Sequence, residues 1–523
     1  MKKIYFNGNF ITLEDNKPVQ AILVENGIIK KVGTNAEIIT HQNDTEMVDL
    51  NGNTIMPAFI DSHSHFMAVA NEFLQVSLKD CRNFEEIKST LLGYKSKNNI
   101  EAGKWIKANG YDKNNLIENS NITKKELDII FPDNPVVIQH QSGHNGIMNS
   151  LALKQIGITD DTEAPEGGII EKIAGSTTGY LEENAFIQSL KKVPLPTIED
   201  LKNAVKKAEF KYASYGITTV QEGFFTKELI DIYHEIISKN ELNLDVIGYL
   251  DRYIIEDAKK KFPNNIKKYY NHFKINGIKI FLDGSPQART AWMRTPYIDD
   301  ANYYGYGTMS NVEVEQAIRL AFAENLQILA HCNGDRAAEQ YINALQNIKE
   351  INKVRPVLIH GQLLGIDQLD KVKELGIIPS FFVAHTYYWG DVHVKNFGIE
   401  RASSISPAGS SKKRDIIFTL HQDSPVIEPN MLETIWCAVN RVTKSGKVLG
   451  NSEKIDVIDA VKAVTINSAY QYFEENEKGS IKEGKKADLV ILNKNPFTVE
   501  KEDIKDIKIL ETIKDGRTVY SVD

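Results

Sequence analysis

Six side chains able to hold a metal ion or move a proton sit at or near the ends of apolar runs along this 523-residue chain. His63 and His65 close IMPAFIDSHSHF, Lys279 lies in GIKIFLDG, His331 follows QILA, His360 follows PVLI, and Asp423 follows IIFTLHQ. Two histidines one residue apart on a strand point to the same face, because side chains alternate with period two, so His63 and His65 can grip one ion. With 12 His in the chain, chance alone yields roughly 0.3 such triplets, so the pair gains meaning only from its context. That context is Pro57, the apolar strand before it, and Asp61 within DSHSH. Imidazole nitrogens suit zinc, iron, nickel and similar ions. A carboxylate beside a His-x-His site, as Asp423 would be, can act as ligand and proton carrier. Its plainer role is helix N-capping before Ser424-Pro425. Lys279 in an apolar strand is unfavourable if buried and charged. Carboxylated by carbon dioxide it becomes an anionic carbamate able to bridge two cations; the plainer role is an ion pair with Asp283 or Asp423. Together these groups describe a two-metal hydrolytic site on a barrel.

Such groups converge only if the strands carrying them lie side by side. The middle of the chain alternates apolar strands with amphipathic helices, the pattern of a parallel sheet or barrel. Strands are expected near 57–62, 216–221, 244–250, 277–282, 326–330, 356–359, 377–383 and 416–420. Eight is the number that closes a (β/α)8 TIM barrel, an α/β fold whose functional residues sit at the C-terminal ends of its strands. His331 and His360, at consecutive strand ends, fit that rule. The count requires residues 67–204 to be a large insertion after strand one, covering the active site. Its run PVVIQHQSGHNGIMNS is the competing candidate for a ninth strand. The opening segments KKIYFNG, AILVENG and IIKKVG, and the closing ADLVILN and IKILETIKDGRTVYSV, read as short strands. The expected division is therefore 1–56 with 470–523 as a composite β-sandwich domain, 57–66 with 205–469 as the barrel, and 67–204 as the insertion.

Composition narrows the function classes. Hydrophobic content of 42% and charge of 25% are those of a globular protein. A net charge of −8 argues against nucleic acid as a partner. Three cysteines, Cys81, Cys332 and Cys437, imply no disulfide framework and suit a reducing cytoplasm. MKKIYFNGNFITLE lacks the apolar stretch of a signal peptide, and no run of about 18 apolar residues predicts a membrane span.

The chain resembles the amidohydrolase superfamily, and in it the branch of the N-substituted formamide deformylases. The resemblance rests on IMPAFIDSHSHF, GIKIFLDGSPQARTA, HCNGDRAAEQ and GSIKEGKKADLVIL, with WIKANGYD, SGHNGIMNSLAL and PEGGIIEKIAGSTTGYLEENA in the insertion. It implies that His63, His65 and Asp423 hold one divalent metal, zinc by default, and that His331 and His360 hold a second. Carboxylated Lys279 would bridge the two. His421 stands where other branches carry Ser or Gly, just before the strand-eight Asp. Homodimers are common among such enzymes.

The expected reaction is hydrolysis of a non-peptide carbon–nitrogen bond (amide, N-acyl or N-formyl) in a small molecule by metal-activated hydroxide, with Asp423 carrying the proton. Candidates for substrate contact are His144, Arg289, His385, Trp389 and His421. The stretch HTYYWGDVH is read as a loop over the barrel whose aromatic residues meet an apolar substituent or simply pack. His421 could instead support Asp423. Tyr180 and Glu183 match the family pattern without an assigned role. Two other readings remain: a mononuclear-metal deaminase and a non-catalytic scaffold on the same fold. Deaminases of this superfamily carry a Glu three residues after the strand-five His, where this chain has Gly334.

Overall fold

The computed structural model describes residues 2–14, 18–41, 43–140 and 143–522. The chain divides into two compact units, Met1–Ala68 with Ala208–Asp523, and Val69–Lys207.

The first unit holds a curled sheet of eight parallel strands. They are β1 (Phe59–Ile60), β2 (Ile217–Phe225), β3 (Asp245–Asp251), β4 (Phe273–Phe281), β5 (Gln327–Cys332), β6 (Val357–His360), β7 (Ile378–Phe381) and β8 (Thr419–Leu420), lying in chain order across the sheet. All eight overlap the stretches expected from the sequence. β1 and β8 form no ladder, but just beyond them Asp423 N donates to His63 O (3.2 Å) and His65 N to Ser424 O (2.8 Å). Strands buried on both faces read as unbroken apolar runs, and β4, FKINGIKIF, is buried along nearly its whole length. Gly277 interrupts it because a Cβ there would lie 2.2 Å from Gln327 O. Ile60, Ile247, Leu329, Val357, Ile359 and Ile378 pack inside the sheet against Ala469 and Tyr472.

The helices between strands follow the expected amphipathic logic. In Asn311–Ala323, Ser310 and Glu313 form a capping box. Val314, Ala317, Ile318 and Ala321, spaced at three and four residues, make the buried face. His385–Ser403 corrects the sequence reading: HTYYWGDVH is helical rather than a loop. Its buried face carries His385, Thr386, Gly390, His393, Asn396 and Phe397. Five of those six are not apolar side chains, so no hydrophobic period betrays the helix.

Two smaller sheets bring the chain ends together. Lys2–Phe6 lies between Ala21–Glu25 and Glu46–Asp49, and Ile28–Gly33 extends that sheet. Thr54–Pro57 pairs antiparallel with Leu489–Leu492, which continues into the hairpin Ile509–Lys514 and Arg517–Ser521. Tyr5, Ile22 and Val24 share one buried cluster with Ile55, Leu489 and Ile513. The second unit has its own six-stranded sheet. Val136–His140 and Asn145–Met148 are antiparallel neighbours within it, so PVVIQHQSGHNGIMNS adds no strand to the parallel sheet. Gln141 and Ser142 of that run lie outside the described residues. No helix among the described residues is long and apolar enough to cross a membrane.

A buried ionic network lies at the opposite end of the parallel sheet from the strand C-termini. Asp245, which opens β3, accepts from Lys478 (2.5 Å), Lys514 (2.9 Å) and His272 (2.8 Å). Glu474 pairs with Lys478 (2.9 Å) and Lys274, and Lys514 also reaches Asp488 (3.0 Å). Burial raises the Asp245 carboxyl, but Lys478 and Lys514 outweigh it and hold its pKa well below the usual range. Asp515, 3.1 Å from Lys514, and Lys486, 4.0 Å from Asp245, join at the edge, so carboxylates and ammonium groups balance and removing one partner strands a charge. Lys478→Met should destabilise the protein by about 3–5 kcal/mol in urea or guanidinium unfolding. A loss below about 1 kcal/mol would show that the remaining cations absorb the change.

Candidate metal centre

The C-terminal ends of the parallel strands gather the predicted groups. His63 Nε2 and His65 Nε2 each lie 3.4 Å from Asp423 Oδ1, and His360 Nε2 lies 3.8 Å from Asp423 Oδ2. His63, His360 and Asp423 each offer a ligand atom, all within 4.8 Å of one another. Lys279 Nζ is 3.3 Å from His63 Nε2. His331 joins through its ring, whose centroid is 4.6 Å from that of His360. His360 and Asp423 have φ of 73° and 56°. Asp and His are among the few non-glycine residues that enter this left-handed region, and such backbone clusters at functional sites.

Neighbours orient the imidazoles. Gln221 Oε1 accepts from His63 Nδ1 (2.6 Å), and its amide is fixed by donating to Ser62 O and Tyr472 OH (2.8 Å each). Asp283 Oδ1 accepts from His331 Nδ1 (3.2 Å) while its carboxylate also takes the main-chain N–H groups of Asn333, Gly334 and Trp292. Each of these bonds leaves Nε2 as the lone-pair nitrogen of its ring. His360 Nδ1 lies 3.0 Å from His421 Nε2, and His421 Nδ1 lies 2.8 Å from Ser380 Oγ.

Electrostatics favour a cation here. Burial, helped by Lys279, holds the His63 imidazole far below its ordinary pKa, and burial does the same to His360. Burial raises the Asp423 carboxyl, but the adjacent His65 imidazole outweighs it and holds its pKa below the usual carboxylate value. Asp423 Oδ1 is nevertheless buried without a hydrogen-bond partner. Neutral nitrogens and a carboxylate oxygen that present lone pairs to one another repel unless a positive centre lies among them. This donor set fits a divalent ion such as zinc.

The family comparison agrees with the geometry. The amidohydrolase family model matches residues 46–520. The chain belongs to the amidohydrolase family. This amidohydrolase is 26% identical to the N-substituted formamide deformylase of Arthrobacter pascens, over 98% of this chain and 97% of that protein. It is 28% identical to Protein LONG AFTER FAR-RED 3 of Arabidopsis thaliana, over 98% of this chain and 91% of the relative. The solved structure of an uncharacterized metal-dependent hydrolase from Pyrococcus horikoshii OT3 shares the fold, with a TM-score of 0.77 and 24% identity. The match covers 96% of this chain and 99% of that one.

The other predicted contacts of the amidohydrolase are distributed differently. His421 is fully buried, and both ring nitrogens have partners. Burial pushes its pKa down to about 3. His385 packs on Phe382 (4.6 Å between centroids) and Trp389 (4.5 Å), and Phe382 lies 5.5 Å from His421. Trp389 is half-buried and so reaches the cluster through two rings. Arg289 gives its guanidinium to Asp299, at 2.8 Å through both terminal nitrogens, and covers Tyr297. His144 belongs to the second unit, where its Nδ1 lies 3.0 Å from Glu183. Tyr180 donates to Glu182 (3.0 Å).

Sequence reasoning missed Gln221 and Ser380, and gave Asp283 to Lys279 rather than to His331. A Gln inside the apolar strand ITTVQEGFF was the available signal. Asp61 was noticed only as context. It accepts from His63 N (3.2 Å), and burial pushes it up to about 6.

Burial lowers Lys279 from 10.5 to about 7. The unfolded chain keeps this proton up to about 10.5, so the unfavourable burial of charge is complete below about 7 and vanishes by about 10.5. In metal-free protein, Lys279→Met should therefore raise stability most near pH 7, with the advantage shrinking toward pH 10 in urea unfolding at stepped pH. An advantage that grows with pH would contradict this assignment.

Proposed function

We infer that the cluster is the metal centre of a hydrolase that cleaves a non-peptide carbon–nitrogen bond in a small molecule, with amide, N-acyl and N-formyl compounds as the substrate class. The observation that carries the reading is the convergence of His63, His65 and His360 Nε2 on the ionised carboxylate of Asp423, whose Oδ1 has no hydrogen-bond partner. The Arthrobacter relative is an N-substituted formamide deformylase, a name that belongs to the same bond class. In this reading the curled sheet is a (β/α)8 barrel, Val69–Lys207 an insertion after its first strand, and the two terminal sheets one sandwich domain. Three free, buried cysteines suit a cytoplasmic protein.

His63, His65 and Asp423 would hold one divalent ion, and His331 and His360 a second. Lys279, neutral above about pH 7, could add carbon dioxide and lie between them as a carbamate. A bound ion supplies Lewis acidity toward the carbonyl and lowers the pKa of water to about 7. The chain's own residues do the rest. Asp423 accepts a proton from the attacking water and returns it to the departing nitrogen, a task suited to a carboxylate kept ionised within the histidine cluster. Gln221 and Asp283 keep the ring protons of His63 and His331 turned away from the centre. Trp389, half-buried against Phe382, offers apolar surface near it.

Zinc-loaded protein should release free amine and carboxylate or formate from N-acyl or N-formyl amines. Asp423→Asn should retain most of its zinc and lose about 10²–10⁴-fold in turnover. Release of ammonia from aminated heterocycles, with no hydrolysis of amides, would replace this reading with deamination.

A further inference from the structure

The partners of His421 impose a direction on a row of hydrogen bonds that ends at His360. The row starts at the main-chain carbonyl of Leu420, which can only accept. With its hydroxyl proton directed at that carbonyl, 3.1 Å away, Ser62 Oγ is left free to accept. Ser380 Oγ lies 3.2 Å from Ser62 Oγ, and Ser380 must then be the donor. His421 Nδ1 lies 2.8 Å from Ser380 Oγ, whose proton is now used, so His421 donates from Nδ1. A neutral imidazole carries one N–H, which leaves His421 Nε2 as an acceptor. His360 Nδ1, 3.0 Å away, therefore donates to it, and His360 Nε2 keeps its lone pair toward Asp423 Oδ2 at 3.8 Å. Ser62, Ser380 and His421 have no exposed surface, so water cannot reverse any link.

We propose that His421 is a positioning residue that sets the His360 tautomer, and that Ser380 and Ser62 set the direction of the His421 ring. The opposite direction would place a proton on His360 Nε2 and remove it as a ligand. His63 and His331 receive the same service from single acceptors, Gln221 and Asp283. His360 has no such terminal acceptor beside it, because a histidine can take either role. The relay supplies the missing asymmetry from a backbone carbonyl on β8. This inference rests on the reading of His360 as a metal ligand.

The test is zinc affinity, measured by competition with a chromophoric chelator, alongside the thermal midpoint of the metal-free protein. His421→Phe removes the acceptor for His360 Nδ1–H, and Ser380→Ala removes the acceptor that orients His421. Each should weaken zinc binding about 10–100-fold. His421→Gln, whose amide oxygen can accept from His360, should recover most of the affinity lost in the Phe variant. Wild-type affinity in folded His421→Phe or Ser380→Ala would overturn the proposal. Equal losses in the Gln and Phe variants would also overturn it, since only packing would then matter. Wild-type protein that takes up no zinc would instead remove the metal-centre reading itself.

Discussion

Lone-pair atoms of His63, His360 and Asp423 gather in one largely buried place at the mouth of the parallel sheet, and positive charge among them stabilises that arrangement. Nitrogens of His63, His65 and His360 face the two oxygens of Asp423 at 3.4–3.8 Å. Burial keeps His63 and His360 neutral, so they cannot supply that charge by protonation. Lys279 can supply it only in part, because its own burial brings its pKa down to about 7. The fold therefore concentrates electron density where unsolvated groups most need a counter-ion.

Much of the surrounding structure controls where protons are not. Gln221 and Asp283 take the outward N–H of two rings. Each is itself fixed by further bonds, from Gln221 to Ser62 O and Tyr472 OH, and from Asn333 and Gly334 N–H to Asp283. Glu222 works on the turn after the histidine pair, accepting from Met67 N (2.8 Å) and Tyr233 OH (2.8 Å). Such partners fix the orientation of the imidazoles and raise their basicity. Main-chain bonds from the His63–His65 turn to Asp423 and Ser424 tie the first and last strand ends together at the same spot.

The two ends of the sheet have different tasks. At the strand N-termini, Asp245, Glu474 and Asp488 are matched by Lys274, Lys478 and Lys514. At the C-termini the charges and lone pairs are left unmatched. The likeness to these family members runs over 98% of the chain at 26–28% identity.

The residues themselves determined the ligand types, the spacing that puts His63 and His65 on one face, and the eight apolar strands. Those follow from local chemistry and from periodicities of two and 3.6 residues. Only the tertiary structure decided that His421 is enclosed between Ser380 and His360, that Asp283 serves His331, and that HTYYWGDVH is a helix. These outcomes hang on pairings between residues 41 to 61 positions apart, and on a buried helix face made of polar groups. Hydrogen-bond direction and burial are properties of neighbours in space, and a linear pattern of residue types does not encode them.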